Sequence, residues 1–581
     1  MTGGPSAGTV RVGRRSVLRA GALGGGATAA FLAACGGSDK KSDSGSGSTS
    51  NATAVTGAQP TQAAALREDG AAKPGGIVSW RDIGAPPPLD PMNNATYRAQ
   101  DLAGFVYSRL LKFNTGPKPD VSYNYELVPD LAEKYEVSPD GLQITFKLRA
   151  NAKFHNRAPI NGRAVTAEDV KASLDRFKNA PKNTNKAALN VFESAQAPDA
   201  QTVVLKLARP YAPALNLIAN PNYLWIMPKE ADSGFDPAKE MIGTGPFMLD
   251  QIQPDVSVTT KKNPEYFIPG RPYVDGSTIV AIPETANNKA QFIAGRLDWT
   301  AIATNDVPDV QKANPKFQLI TYLPTTYIFL APQQRSGPFQ DIRLRRALSL
   351  AMDRKALGDL VYEGKGVAYS TAVPPSMGRW WANPQTDTSA WAANIKFDTK
   401  AAKDLVKAAG FDSVPLKYIY ANNAYGDVFN QWAEAYAGML KEGGFNPTIV
   451  PQDYLREYIV AGGTFFGAYD GAFFGPQTPF TDPHDYLFNM AHSKSTRNHA
   501  GINDGKLDAM IDDEEKTFDE PARLKKVQDI QKYIMDQMYY IPSVTGNAYL
   551  FQQPWMRRLY YCSTYGFGAE SHLECWIDKS S

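Results

Sequence analysis

Residues 415–452 read PLKYIYANNAYGDVFNQWAEAYAGMLKEGGFNPTIVPQ. The first seven residues, PLKYIYA, form a β-rich run, and NPTIVPQ at the end forms another. Between them, DVFNQWAEAYAGMLKEGG has the period of an amphipathic helix, with Trp432 on its inner face and a double glycine to stop it. Strand, helix, strand is a crossover unit. A chain that returns through a helix lays its two strands parallel, so this stretch predicts an α/β protein with helices packed on a sheet.

The pattern extends in both directions. Upstream, FDTKAAKDLVKAAGF (397–411) predicts a helix capped by Asp398 and stopped by Gly410. DIRLRRALSLAMDRKALGDLVY (341–362) predicts one long amphipathic helix ended by Gly364. Downstream, AYDGAFFG (468–475) carries a strand, and RLKKVQDIQKYIMDQMYY (523–540) the last good helix. Nearer the start, GGIVSWRDIG is a strand, and a Pro-rich loop leads from it into a helix through Tyr97. YEVSPDGLQITFKL predicts a hairpin turning at Pro139-Asp140-Gly141. Thr166 with Asp169 three residues on predicts a capped helix start. IGTGPFMLD predicts a glycine turn running into a strand, and TIVAIP a further strand. ANNKAQFIAGRLDWTAI predicts a helix ending at Gly295, then a strand.

The first 73 residues belong to another class. GRRSVLRAGALGGGATAAFLAAC (13–35) sets a twin arginine, Arg14-Arg15, before an apolar run too short to span a bilayer, and closes on Leu32-Ala33-Ala34-Cys35. That is the pattern of a bacterial export leader with a twin-arginine signal and a lipidation site at Cys35. Residues 36–73, beginning GGSDKKSDSGSGSTS, are small and polar; they cannot bury enough surface to offset ordering, and so predict a flexible tether. Two acyl chains on Cys35 would hold the remainder at a membrane surface.

About 510 residues remain, enough for two or three domains. A net charge of +2 argues against nucleic acid as the main partner. Of 3 cysteines, lipidation of Cys35 leaves Cys562 and Cys575, an even pair that an exported protein can join as a disulfide. No G-x-S-x-G, phosphate loop or H-E-x-x-H motif is present, so the sequence offers no enzyme signature. A lipid-anchored hydrolase is the alternative of a different class. His484, His492 and His499, with Asp482 and Asp485, read as a loop; their spacings match no compact metal motif, and no metal or other cofactor is expected.

Seven segments in one order carry a resemblance: LAEKYEVSPDGLQITFKLRANAKFHN, TAEDVKASLDR, IGTGPF, NPEYF, AGRLD, PFQDIRLRRALSLAMDRKAL and FDTKAAKDLVKAAGF. Together they resemble the family 5 extracellular solute-binding proteins, the capture components of ATP-driven importers for peptides, nickel complexes and some oligosaccharides. The resemblance implies a bilobal, periplasmic-binding-protein-like α/β fold of three domains with the ligand cleft between lobes. Domain I is discontinuous (74–107, 235–323 and 545–581), domain II is inserted (108–234), and domain III spans 324–544. It implies a monomer on the outer face of the cytoplasmic membrane or in the periplasm, with permease subunits as partners. The function expected is capture of a peptide or similar small solute by lobe closure. An oligosaccharide, a metal chelate or a sensor role is the alternative within the class.

Family members that bind free dipeptides carry an aspartate for the ligand ammonium and an arginine for its carboxylate. Here Phe473-Phe474 is followed by Gly475, Pro476, Gln477 and Thr478, with no carboxylate before Asp482. Asn430 and Gln431 stand where the arginine is expected. The resemblance therefore implies a neutral or extended ligand. The binding residues expected are Tyr97, Tyr425, Gln431, Phe473, Phe474, Gln477, Thr478 and Asp482, with Asp470 as an alternative anchor and Trp380, Trp381 and Trp432 as further contacts. His155 and the GTGPF turn are expected to be structural.

Overall fold

The computed structural model describes residues 71–82, 88–94, 96–114, 127–183, 185–460, 462–559 and 568–578. The leader, Cys35, tether residues 36–70 and Cys562 lie outside these residues.

The crossover unit at 415–452 forms as its sequence dictates. Strands Val414–Ala421 and Phe445–Gln452 pair in parallel along their full length, joined through the helix Asp427–Glu442. They belong to a five-stranded sheet ordered Phe445–Gln452, Val414–Ala421, Ala472–Pro476, Ile328–Pro332, Ile541–Pro542. Ala472–Pro476 is also parallel to Val414–Ala421, and Ile328–Pro332 runs antiparallel beside it. Both faces of this sheet are covered. Successive side chains of a strand point to opposite faces, so Phe473 and Phe474 enter different cores. Phe474 lies among Tyr418, Phe429, Trp432 and Tyr436, under the crossover helix. Phe473 lies on the other side with Phe329, Tyr458 and His499, in a core completed by the helices Pro483–Ala491, Gly505–Glu514 and Glu520–Gln537.

A seven-stranded sheet draws on distant parts of the chain, in the order Gln318–Tyr322, Ala548–Gln552, Trp299–Ile302, Ile77–Asp82, Gly276–Ala281, Ser257–Lys262, Phe247–Gln253. A four-stranded antiparallel sheet, Ala132–Val137, Gln143–Leu148, Thr202–Leu207, Phe192–Asp199, is contained within one stretch of sequence. It packs on the helix Ala167–Asn179 through Val170, Leu174 and Phe177 and shares one apolar core with the seven-stranded sheet. The capping box that starts this helix is present: the Thr166 N–H donates to Asp169 Oδ2 at 2.8 Å. The GTGPF turn is structural for a definite reason. A Cβ on Gly243 would overlap the Val106 carbonyl, and one on Gly245 the Phe105 carbonyl, so only glycine lets these backbones meet. His155 ties the turn to the hairpin body: it lies 3.1 Å from the Gly245 carbonyl and its Nδ1 accepts from the Gly243 N–H.

Two expectations need correction, and a third falls partly outside the described residues. The single helix expected over 341–362 is two, Ile342–Leu350 and Arg354–Tyr362. Asp353 interrupts it by capping the second helix, accepting from the Ala356 N–H at 2.9 Å. Arg354 turns inward and its buried guanidinium donates to the Ser349 and Pro542 carbonyls, which fixes the break. The histidine stretch is no loop at its start: Asp482 caps, and Pro483 opens, a helix running to Ala491. Finally, Cys575 is a free thiol, fully buried, donating to the His572 carbonyl. Its expected partner, Cys562, lies outside the described residues.

Candidate functional site

In a sheet of parallel strands, ligands sit outside the carboxyl ends, at the point where successive connections leave in opposite directions. In the five-stranded sheet that point is between Val414–Ala421 and Ala472–Pro476, since the chain passes from Val414–Ala421 outward to Phe445–Gln452 and then back across. Three loops meet there, after Ala421, Gln452 and Pro476. The first two are tied together: Asn423 donates from Nδ2 to Asp453 at 2.9 Å, and its Oδ1 accepts from the Tyr454 N–H at 2.9 Å. Their aromatic side chains interlock, with Tyr425 edge-on to Phe429 and Tyr454, and Tyr454 stacked on Tyr458. Tyr458 fills the space beside Gly475, where a Cβ would strike its hydroxyl. In the third loop the Gln477 N–H donates to the Tyr327 carbonyl at 2.8 Å, and Thr478 is half-buried.

The third loop ends at a buried charge network. Asp482 is fully buried and accepts from Arg523 (2.5 Å), the Asn216 amide (2.5 Å) and the His484 N–H (2.8 Å). Arg523 also donates to Glu514 at 2.7 Å, and His484 Nδ1 lies 2.6 Å from the other Glu514 oxygen. Burial, the largest single influence, would raise the Asp482 carboxyl; the Arg523 charge and hydrogen bond, with the smaller contributions of His484, together hold it below the ordinary range. Burial would likewise lower His484, but the Glu514 charge and hydrogen bond, with the charges of Asp485 and Asp482, together raise its affinity for a proton.

This network joins two bodies. Asn216 belongs to the polypeptide around the four-stranded sheet, whereas Asp482, Glu514 and Arg523 belong to the five-stranded one. The same junction holds a bidentate Arg209–Glu515 pair (2.6 and 2.9 Å) and an Ala212 N–H bond to the Glu515 carbonyl. There, too, the Tyr211 ring lies edge-on to His484. Beside these contacts is a cavity of about 530 Å³, walled from one body by Tyr211 and Tyr223 and from the other by Phe480, His484, Asp485 and Phe488.

Asp485 differs from its neighbours. It is 5% exposed, and its Oδ2 has no hydrogen-bond partner among the described residues. Burial and then the Asp482 charge push its carboxyl up from 3.8 to about 7. The folded chain thus holds a proton that the unfolded chain releases between these values, and this group's contribution to stability falls as pH rises through that window. The slope is about 1.4 kcal/mol per pH unit. Urea unfolding of wild type and Asp485→Asn from pH 5 to pH 8 isolates it from the opposing Asp482 contribution: wild type is expected to lose stability relative to the variant as pH rises.

Of the residues expected to bind, the structure gathers Tyr425, Gln477 and Thr478 at the strand ends. Phe473 and Phe474 are fully buried in aromatic clusters on opposite sheet faces. Gln431 is exposed on the crossover helix, whose inward face is taken by its neighbour Trp432, which donates to Ser543. Asp482 caps its helix, and its oxygens are engaged by Arg523, Asn216 and that helix. Asp470 is exposed. Tyr97 begins the helix Tyr97–Val106, and its side chain lies outside the described part. Trp380 is buried and carries the Arg523 guanidinium over its ring. The three histidines separate: His492 faces Asp512, and His499 bonds to the Phe465 carbonyl with its proton affinity driven down by burial. Among the described residues no group of metal-binding side chains is assembled. Sequence reading missed the cavity. The signal for its wall was Asp482-Pro483, a cap followed by a helix-opening proline, which places His484 and Asp485 on the first turn.

A family model described as bacterial extracellular solute-binding proteins, family 5, middle region, matches residues 126–498. The di/tripeptide-binding protein 1 of Pseudomonas aeruginosa (strain UCBPP-PA14) is 25% identical over 523 residues, covering 85% of this chain and 93% of that protein. The dipeptide-binding protein of Escherichia coli (strain K12) is 27% identical over 485 residues, 78% of this chain and 86% of that protein. Among solved structures, the oligopeptide-binding protein AppA of Bacillus subtilis, in complex with a nonapeptide, superposes with a TM-score of 0.71 at 19% identity. It covers 88% of this chain and 100% of its own. A Helicobacter pylori periplasmic binding protein in complex with the peptide STSA gives 0.72 at 20% identity, covering 87% of this chain and 99% of its own. The fold is thus the bilobal, multi-domain α/β fold of those binding proteins.

Proposed function

The chain belongs to the family 5 bacterial extracellular solute-binding proteins, a binding protein and not an enzyme, and from that premise we propose that it captures a peptide between its lobes and delivers it to an ABC-type importer. The observation that carries this reading is the aromatic cluster at the strand ends, where Tyr425 packs edge-on to Tyr454, together with the junction made through Asn216–Asp482 and Arg209–Glu515. Apolar faces with a few fixed polar groups suit a solute held along its length. The relatives named for dipeptides, tripeptides and oligopeptides support a peptide over an oligosaccharide or a metal chelate.

The three sheets support the domain reading. Domain I is the seven-stranded sheet (74–107, 235–323 and 545–581), domain II the inserted four-stranded one (108–234), and domain III the five-stranded one (324–544). The leader through Cys35 supports export with lipidation of that cysteine, so that the monomer works at the outer face of the membrane beside its permease. Closure follows population shift: ligand binds the closed arrangement more tightly and draws the lobes into it.

Native mass spectrometry of the purified chain, followed by thermal unfolding with peptides from dipeptides to nonapeptides, tests the proposal. A peptide at a hundredfold excess over its Kd is expected to stabilise the fold by about 2.7 kcal/mol. Unchanged melting with every peptide, together with stabilisation by a sugar or a metal chelate, would replace the proposal with that ligand class.

A further inference from the structure

We infer that the cavity between Tyr211 and Tyr223 on one side and the helix Pro483–Ala491 on the other is a receptor for a cationic nitrogen, a primary ammonium or a guanidinium, with the Asp485 carboxylate as its counter-charge. The peptide reading is used here only to choose the probes.

The charges in and around this junction do not balance. Four buried carboxylates lie together: Asp482, Asp485, Glu514 and Glu515. Three cations serve them. Arg523 binds Asp482 and Glu514, His484 faces Glu514, and Arg209 clamps Glu515. Asp485 is the one left over, and its Oδ2 is unpaired among the described residues although the side chain lines a cavity of about 530 Å³. An ionised carboxylate in such a place is costly unless it takes a proton or a cation. The carboxyl does hold its proton unusually well, as burial and Asp482 dictate. A ligand cation supplies the same neutralisation.

The walls suit that ligand. Tyr211, Tyr223, Phe480 and Phe488 line it with aromatic surface of the kind that attracts ammonium and guanidinium groups, and Arg209 and Arg497 of this chain already lie over the Tyr211 and Phe480 rings. Both tyrosine hydroxyls are held neutral by burial and then by the Asp485 charge, so they add no second anion. The mouth has the opposite character. Lys494 and Lys516 are exposed there, Arg497 donates to Asn185 across the junction, and His492 is engaged by Asp512. A solute with its cation inward and neutral or anionic groups outward fits this gradient. Because the two walls come from different bodies, the group is held only when these meet.

Calorimetry with four probes reads this out. Trialanine and N-acetyl-trialanine separate an α-ammonium from a blocked terminus. N-acetyl-Ala-Lys-Ala and its norleucine counterpart separate a side-chain ammonium from its apolar isostere. The expected result is that one member of each charge pair, or of one pair, binds wild type well, and that Asp485→Asn weakens that probe roughly thirtyfold or more while leaving the uncharged partner unchanged. Equal melting of wild type and Asp485→Asn at pH 5 checks that the variant folds. Asp485→Glu, which keeps the charge, is expected to retain part of the preference. If uncharged and charged probes bind alike, and Asp485→Asn leaves both unchanged, the inference is overturned while peptide capture stands. If no peptide binds wild type, peptide capture is overturned; 1,5-diaminopentane, bound by wild type and lost in Asp485→Asn, then supports the cation site by itself, and its failure to bind overturns it.

Discussion

Arg523→Ala is expected to lower stability by about 3–5 kcal/mol, measured as the shift in urea unfolding. The size follows from what the arginine leaves behind. Its guanidinium, buried beside Trp380, reaches Asp482 at 2.5 Å and Glu514 at 2.7 Å. Removing it strands two carboxylates that cannot reach water, so the cost comes from their desolvation more than from the lost bonds. Arg523→Lys keeps the charge but not the planar fork that serves two acids at once, and is expected to recover part of the loss. Asp482 is also the cap of the helix Pro483–Ala491 and the partner of Asn216. The Arg523→Ala defect is therefore expected to loosen the junction as well as the core, with faster proteolysis near residues 209–216. A loss below about 1 kcal/mol, the scale of an exposed ion pair, would contradict a buried network.

Phe474→Ala is expected to cost about 3–5 kcal/mol, the range for deleting a buried aromatic ring. Phe474 is completely buried and touches Tyr418, Phe429, Trp432 and Tyr436, so four rings line the resulting cavity. Those rings sit on a strand and a helix of the crossover unit, which limits collapse into the space. The measurement also separates the two roles considered for this residue. A core position predicts a large loss of stability with peptide affinity little changed once the variant is folded; a wall of the binding crevice would give the reverse.

The crossover unit was legible because everything that decides it is local. Strand composition, helical period and terminating glycines lie within 38 consecutive residues, and the observed strands and helix follow them. Short-range capping was equally legible at Thr166–Asp169 and at Asp398. The break between Leu350 and Arg354 was not, because an apolar period continues across it and the deciding bonds of Arg354 run to Pro542, almost two hundred positions away. The candidate site divides the same way. Tyr425, Gln477 and Thr478 could be placed from the strand ends that precede them. Phe473 and Phe474 could not be assigned to core or crevice, since an aromatic strand buried on both faces reads like an aromatic cleft wall. The Asp485 cavity was beyond sequence reasoning altogether. Its opposite wall, Tyr211 and Tyr223, lies more than 250 positions away, and the feature that marks it is an unbalanced count of charges in space.

The central claim is that a peptide is held by closure of two bodies and is not transformed. Small-angle X-ray scattering of the purified chain, with and without a peptide that raises its melting temperature, tests it most directly when the recovered peptide is then examined by mass spectrometry. The account expects a smaller radius of gyration with peptide bound and the peptide recovered intact. An unchanged radius at saturating peptide, or a cleaved peptide, would contradict it.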